Sequence, residues 1–186
     1  MHDFLVGTGI FAYPLLLCSL VGVYIILERS FALRRKRILP RELLEKIDQE
    51  KPIGKDENSV LARLARFVEE NPENEDELEP IARLEINRLE RGLVFLEIII
   101  SAAPLLGLLG TVTGLIQVFS NIDPGTGLPE PAAFVQGVAL ALTTTVAGLT
   151  IAIPCLVANG YFQRKIETFT VQLSAVIDQI RSRQLS

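Results

Sequence analysis

Histidine and cysteine are nearly missing from this chain of 186 residues: one histidine, His2, and two cysteines, Cys18 and Cys155. A lone histidine at the terminus excludes histidine-based metal chemistry. Both cysteines fall inside long apolar runs, where a thiol behaves as a small hydrophobe. Their number and spacing give neither a disulfide framework nor a metal-binding pattern. The signatures of soluble enzymes are missing too: no Walker loop, no dinucleotide glycine fingerprint and no nucleophile elbow. The apolar runs hold no catalytic Ser/His couple and no paired aspartates, which an intramembrane protease would need. No enzyme activity, catalytic residue, metal or cofactor is expected.

Charge is missing from three long runs. Residues Phe4–Leu27, Ile98–Ile122 and Pro131–Gln163 contain no Asp, Glu, Lys or Arg. Hydrophobic residues make up 49% of the chain, and the three runs gather most of them. Crossing the hydrocarbon core takes roughly 20 apolar residues, so each run is long enough to be a transmembrane helix. A soluble domain of this length could bury a core. Three uncharged runs in one short chain make buried core helices the weaker explanation.

Basic residues are missing from particular places as well. Of the 18 Lys and Arg, 14 lie between Arg29 and Arg91 and four between Arg164 and Arg183. None precedes the first run, and none lies between Asn121 and Pro131. Excess Lys and Arg marks the cytoplasmic side. The expected fold class is therefore an all-α membrane protein with three transmembrane helices, N-out and C-in. Its long second and third helices extend into the cytoplasm. The expected divisions are a first transmembrane helix at 1–28, a cytoplasmic helical segment at 29–91 and a second transmembrane helix at 92–120. A short periplasmic loop at 121–131, a third transmembrane helix at 132–163 and a cytoplasmic helical tail at 164–186 follow. Met1-His2-Asp3 has no basic n-region and no small-residue cleavage site follows, so the first run reads as a retained reverse anchor. Arg34-Arg35-Lys36-Arg37 just inside it reads as a topology signal and a contact to anionic lipid, not to nucleic acid. The net charge of −4 averages this basic collar with an acidic middle.

Between the first two runs, residues 40–47 suit a short amphipathic helix with Pro40 near its start. Asn58 or Ser59 suits the cap of a second helix with Val60, Leu61, Leu64, Phe67 and Val68 on one face. The acidic run from Glu73 to Glu79 suits the start of a third, where negative charge meets the positive end of the helix dipole. Leu78, Ile81, Ala82, Leu89 and Leu93 are roughly heptad-spaced. With no proline after Pro80 before the membrane, one continuous helix is expected into the second apolar run. Ile81 to Phe119 would then span roughly 57 Å at 1.5 Å per residue. Residues 121–129 are a Gly/Pro turn, so the second and third membrane helices form an antiparallel hairpin. Ile166, Phe169, Leu173, Val176, Ile177 and Ile180 continue an amphipathic helix beyond the third run.

The membrane runs carry more polarity than an anchor needs. Gly107, Gly110 and Gly114 form a strip on the second helix, and small residues let helices approach closely in lipid. Gly148 does the same on the third, and Pro104 lies beside the strip. Glu97, Pro104 and Thr111 are spaced by seven and line up. A carboxylate at a helix centre in lipid costs roughly 2.5 kcal/mol or more; Glu97 is near the inner end, where it is either interfacial or functional. Thr143, Thr144 and Thr145 follow in a row on the third helix, with Thr111 and Thr113 across the hairpin, and Asn159 near the inner mouth extends that polar line. A single membrane threonine ordinarily bonds its own i−4 carbonyl; this many suggest a polar path. Threonine does not titrate near neutral pH. A proton path along these residues therefore lacks a titratable group midway, and a helix of another chain is the economical source.

Two motifs carry a resemblance. Ala103-Pro104-Leu105-Leu106-Gly107-Leu108-Leu109-Gly110-Thr111-Val112-Thr113-Gly114 is one. Gly137-x-Ala139-x-Ala141-Leu142-x-Thr144-Thr145-x-x-Gly148-Leu149-x-x-Ala152-Ile153-Pro154 is the other. Together they resemble the MotA/TolQ/ExbB proton-channel family, in its ExbB and TolQ branch, over about residues 90–165. The resemblance implies a bacterial inner-membrane homopentamer whose second and third helices line a central pore. It implies a partner, an ExbD- or TolR-like single-span protein with a membrane aspartate, present as a dimer in that pore. It implies coupling of the proton motive force to work at the outer membrane, through a TonB- or TolA-like protein. By position Thr111 and Thr145 match the family's pore threonines. Well-known ExbB members carry a glutamate on the third helix where this chain has Leu140, so that role does not carry over; Glu97 taking part of it is a hypothesis. The other readings are a structural membrane scaffold and a stand-alone ion or mechanosensitive channel. Sodium stays open as the ion, because hydroxyls also coordinate it.

Overall fold

The computed structural model describes residues 9–34, 38, 40, 59–70, 75–120 and 131–184. Every regular element among them is helical. A short 3₁₀ turn, Gly9–Phe11, leads into α1, Ala12–Ala32. Then come α2, Val60–Glu70, and α3, Glu75–Glu90. The chain ends in α4, Leu93–Ser120, and α5, Pro131–Gln184. The helix expected at 40–47, the turn at 121–129, Asn58 and Glu73 lie outside the described residues, apart from Pro40. Three of the helical stretches are long and apolar enough to cross a membrane.

The helices divide into two units. One is built from α1 up to Ile26, α4 from Val94, and α5 up to Asn159. Its buried side chains are few and small: Ala103 on α4, Ala141 and Ala152 on α5, with Leu15, Leu96 and Ile99 among the larger ones. Large apolar side chains instead point outwards, with Leu105, Leu142 and Val146 each more than 60% exposed. Contiguous apolar surface on this scale marks a face made for lipid or for other chains. At Gly22 an added Cβ would lie 2.9 Å from Cys155 Sγ and 3.8 Å from Ile99 Cδ1. Thus α1 rests on both helices of the hairpin. Pro104 and Pro154 lie inside α4 and α5. Each lacks the N–H that would bond the carbonyl four residues earlier, at Ile100 and Thr150.

The other unit holds residues 27–93 and 160–186. Ser59 caps α2: its Oγ accepts from the Ala62 N–H at 3.1 Å. Val60, Leu61 and Leu64 are buried, as expected of the apolar face of an amphipathic helix. On α3, Ile81, Ala82 and Leu89 are half-buried. Between them on that face sits Glu85, which is only 6% exposed. Arg63 of α2 grips its carboxylate with two bonds, Nε to Oε1 at 3.3 Å and Nη2 to Oε2 at 2.5 Å. Arg88, one turn on, adds a third at 2.8 Å. A buried carboxylate persists where charge-assisted bonds replace its water. Further along, Phe162, Ile166, Phe169 and Leu173 of α5 are buried at steps of four, three and four, a helical stripe.

The helix expected from Ile81 into the membrane is interrupted once, and Pro80–Ser120 is otherwise helical. A two-residue turn at Arg91-Gly92 separates α3 from α4. Arg29, near the end of α1, lies against it. Its Nη1 donates to the Leu89 carbonyl at 3.0 Å, one of the last carbonyls of α3, which have no partner inside the helix. Its guanidinium then occupies the space that a Cβ at Gly92 would need. Glu28 holds the guanidinium in place through bonds of 2.6 and 3.2 Å.

Replacing Glu85 by Ala leaves Arg63 and Arg88 without their shared carboxylate. We expect a loss of about 2 kcal/mol, read as a lower unfolding midpoint of the whole protein in detergent. An unchanged midpoint would show the ion pairs to be idle.

Candidate functional site

The site is the seam between α4 and α5, and glycine makes it. An added Cβ at Gly107 would lie 2.9 Å from the Thr144 carbonyl oxygen and 3.0 Å from Thr145 Cα. At Gly114 it would lie 2.9 Å from the Gly137 carbonyl oxygen. Gly148 meets the Ala103 carbonyl, and Gly137 meets the Val118 side chain, both more tightly still. At Gly110 the space is filled by the Thr144 side chain, whose Oγ1 would be 2.5 Å and Cβ 2.6 Å from an added Cβ. The helices therefore pack backbone against backbone.

This approach lets two threonines reach across. Thr111 Oγ1 and Thr145 Oγ1 are 2.5 Å apart, and both side chains are half-buried. Thr111 also reaches the Ala141 carbonyl at 3.0 Å. Thr145 reaches the Gly107 carbonyl at 3.3 Å. Ala141 is four residues before Thr145, and Gly107 is four residues before Thr111. Each hydroxyl thus reaches the carbonyl that a lone membrane threonine in the other's place would use. Thr111 keeps its own Gly107 carbonyl at 3.3 Å as an alternative. One hydroxyl proton bridges the two oxygens, which leaves one more for a carbonyl. Either Thr145 donates to Thr111, and Thr111 to Ala141 or Gly107, or Thr111 donates to Thr145 and Thr145 to Gly107.

The other polar positions behave differently. Thr144 is fully buried and bonds within its own helix, to the Ala141 carbonyl at 2.9 Å. Thr113, Thr143 and Thr150 each bond their own i−4 carbonyl, at 2.9, 2.7 and 2.7 Å. Glu97 is exposed, and Pro104 is half-buried. Asn159 is 6% exposed, and its Oδ1 has no hydrogen-bond partner among the described residues. Glu97 precedes Thr111 by 14 residues and Asn159 follows Thr145 by 14. On antiparallel helices both lie roughly 21 Å from the threonine pair, towards the same end. So the structure joins Thr111 with Thr145, sets Thr144 against Gly110, and leaves Glu97 and Asn159 apart from both. The exchange of carbonyls was not expected from the sequence; equal i−4 spacing on facing helices was its only signal.

The sequence pattern of the MotA/TolQ/ExbB proton channel family matches residues 54–175. This chain belongs to that family. The match contains both threonines, the whole glycine seam, and also α2 and α3, which the two motifs alone do not reach. An ExbB-like protein of Synechocystis sp. is 34% identical over 169 residues, covering 82% of this chain and 66% of its own. The biopolymer transport protein exbB1 of Vibrio cholerae is 31% identical over 167 residues, or 80% of this chain and 72% of its own. The biopolymer transport protein ExbB of Helicobacter pylori is 38% identical over 82 residues, 44% of this chain and 56% of its own. The chain thus spans about two thirds of the length of the first two relatives. The resemblance to the ExbB and TolQ branch holds on these matches, and the protein is one of a transport and proton-channel family.

Gly110→Ala should drive a methyl into Thr144, which has no free space. Overpacking of this kind costs about 1–3 kcal/mol, read as a lower unfolding midpoint in detergent. Adding Thr144→Gly reopens the space and should recover part of the loss, less about 1 kcal/mol for glycine inside a helix. A Gly110→Ala protein as stable as the parent would refute the close seam.

Proposed function

We propose that this protein is a subunit of an inner-membrane proton-channel complex that couples the proton motive force to work at the outer membrane. The subunit acts as a homopentamer, with N-out and C-in topology, around two helices of an ExbD- or TolR-like partner. A TonB- or TolA-like protein receives the force, and anionic lipid meets the basic collar. The names of the relatives, biopolymer transport proteins, support transport as the powered process. The observation that carries the reading is the Thr111–Thr145 pair. It sits midway along spans that contain no Asp, Glu, Lys, Arg or His of their own. Hydroxyls can donate and accept beside a passing proton but cannot store it. The storing group then belongs to the partner, as its membrane aspartate. Thr111 and Thr145 line the path at its centre, Thr144 keeps the wall rigid behind them, and Glu97 and Asn159 serve the inner mouth. Pro104, Gly107, Gly110, Gly114 and Gly148 set the wall's thickness.

One observation favours a second reading, a structural scaffold with no ion path. The two hydroxyls place both of their protons, one between them and one on a carbonyl, without any visitor. Interhelical bonds of this kind contribute about 0.6–1.7 kcal/mol in membranes, which is reason enough for a scaffold to keep them.

Thr145→Val keeps the shape and removes the hydroxyl. On the channel reading, proton flux in vesicles holding both subunit and partner falls at least about tenfold, a barrier rise near 1.4 kcal/mol. Assembly on native gels stays intact, and Thr145→Ser retains flux. Full flux from Thr145→Val, with only a lower unfolding midpoint, would establish the scaffold instead. Glu97→Gln should lower flux without changing assembly. Unchanged flux would return Glu97 to a purely interfacial role.

A further inference from the structure

The inner ends of two uncharged runs repeat one arrangement. Phe31, four residues past Leu27, is 54% exposed, and the Arg34 guanidinium lies over its ring, 4.7 Å from the centroid. Tyr161, two residues before Gln163, is 61% exposed, and the Lys165 ammonium lies over its ring at 5.5 Å. Arg164, also exposed, stands beside Lys165 in the chain. The same residue types recur at the second run, where Phe95 and Arg91, both exposed, are four apart.

An exposed aromatic ring suits the boundary between acyl tails and headgroups, where its body meets apolar matter and its rim meets water. A cation within about 6 Å of the ring centroid is held there by the quadrupole of the ring. The ring covers one side of the Arg34 guanidinium and leaves the N–H edges open, in the fork that matches a phosphate. The Lys165 ammonium has three donors, and those turned away from the ring stay open as well. Each pair therefore fixes a cation at the depth of its ring, which is where a phospholipid carries its phosphate. Glu167, exposed, follows Arg164 by three residues and bounds that place on the side away from the uncharged run.

We propose that Phe31 with Arg34, and Tyr161 with Arg164 and Lys165, are two seats for the phosphate of an anionic phospholipid in the inner leaflet. The ring lies against the glycerol and the first acyl carbons, and the cation takes the phosphate. A zwitterionic headgroup would bring its own ammonium against these cations, so the seats select anionic lipid. The α1 seat rests on the lipid contact assigned above to the basic collar and places it. The α5 seat lies outside the collar and stands without it.

The chain has no tryptophan, so a single introduced one reports from a chosen place. Three full-length variants are reconstituted in phosphatidylcholine vesicles: Tyr161→Trp, Phe31→Trp and, as a control, Leu17→Trp, at a residue 62% exposed in the middle of the first run. Quenching by brominated phosphatidylglycerol is compared with quenching by brominated phosphatidylcholine. At Tyr161→Trp and Phe31→Trp the anionic lipid should reach half-quenching at about threefold lower mole fraction; at Leu17→Trp the two should be equal. Adding Arg164→Gln and Lys165→Gln should abolish the preference in Tyr161→Trp, while in Phe31→Trp they leave it in place. Adding Arg34→Gln should do the reverse. Equal quenching at Tyr161→Trp overturns the α5 seat. Equal quenching at Phe31→Trp overturns the α1 seat and the collar contact with it, and leaves the α5 seat to its own result. A preference that survives the Gln substitutions reports general surface charge and overturns both seats. Absence of quenching by either lipid means that protein covers the face, which overturns lipid as the occupant.

Discussion

Lipid offers no hydrogen bonds, so polar groups in a spanning helix must find partners within the protein. In this protein that constraint meets its answer at Gly107. The residue has no side chain, so α5 can approach until Thr145 touches α4. Its carbonyl then accepts from the Thr145 hydroxyl. The Thr111 hydroxyl makes the reverse journey to Ala141. A side chain at Gly107 would push the helices apart and leave both hydroxyls to their own helices. Closeness and polarity are thus one feature here, and the remaining glycines extend it along the seam.

The two units are held by different physics. Between membrane helices apolar burial gives no drive, because lipid tails are as apolar as leucine. Shape and hydrogen bonds must serve, which is why the buried residues there are small. In the other unit water is the competitor. Leu61, Leu64, Phe162 and Leu173 bury apolar surface in the ordinary way. Two charged groups add direction to that burial. Glu85 ties α2 to α3 through Arg63, and Arg29 meets the end of α3.

The helices were legible because lipid simplifies the code: an uncharged run of sufficient length has few other fates. Ser59 was legible because a cap is a local event, decided within four residues. What the sequence hid involved residues distant in the chain. The turn at Arg91-Gly92 meets Arg29, some sixty positions earlier, and no local pattern announces a guanidinium arriving from outside. Glu85 sits where the apolar spacing of α3 has a gap. A charged residue in such a gap gives no sign of burial, and Arg63 of another helix is what meets it there. The threonines were legible as polar residues in apolar helices. Their exchange of carbonyls was not, since it requires the register of α4 against α5, and that register is set by glycine contacts.

That exchange bears on what the pair can do. Two hydroxyl protons are offered four bonds, one between the oxygens and three to carbonyls, and only two form at once. With Thr145 donating to Thr111 and Thr111 to Ala141, the Gly107 carbonyl is released; with the direction reversed, the Ala141 carbonyl is released. Switching needs only rotation of two O–H bonds, with no movement of a helix. A carboxyl group beside the pair changes between donor and acceptor as it gains and loses its proton. A wall with fixed donors would suit one of those states and penalise the other. A reversible pair keeps both of its protons in use in either direction, so reversal changes which carbonyl is left as an acceptor.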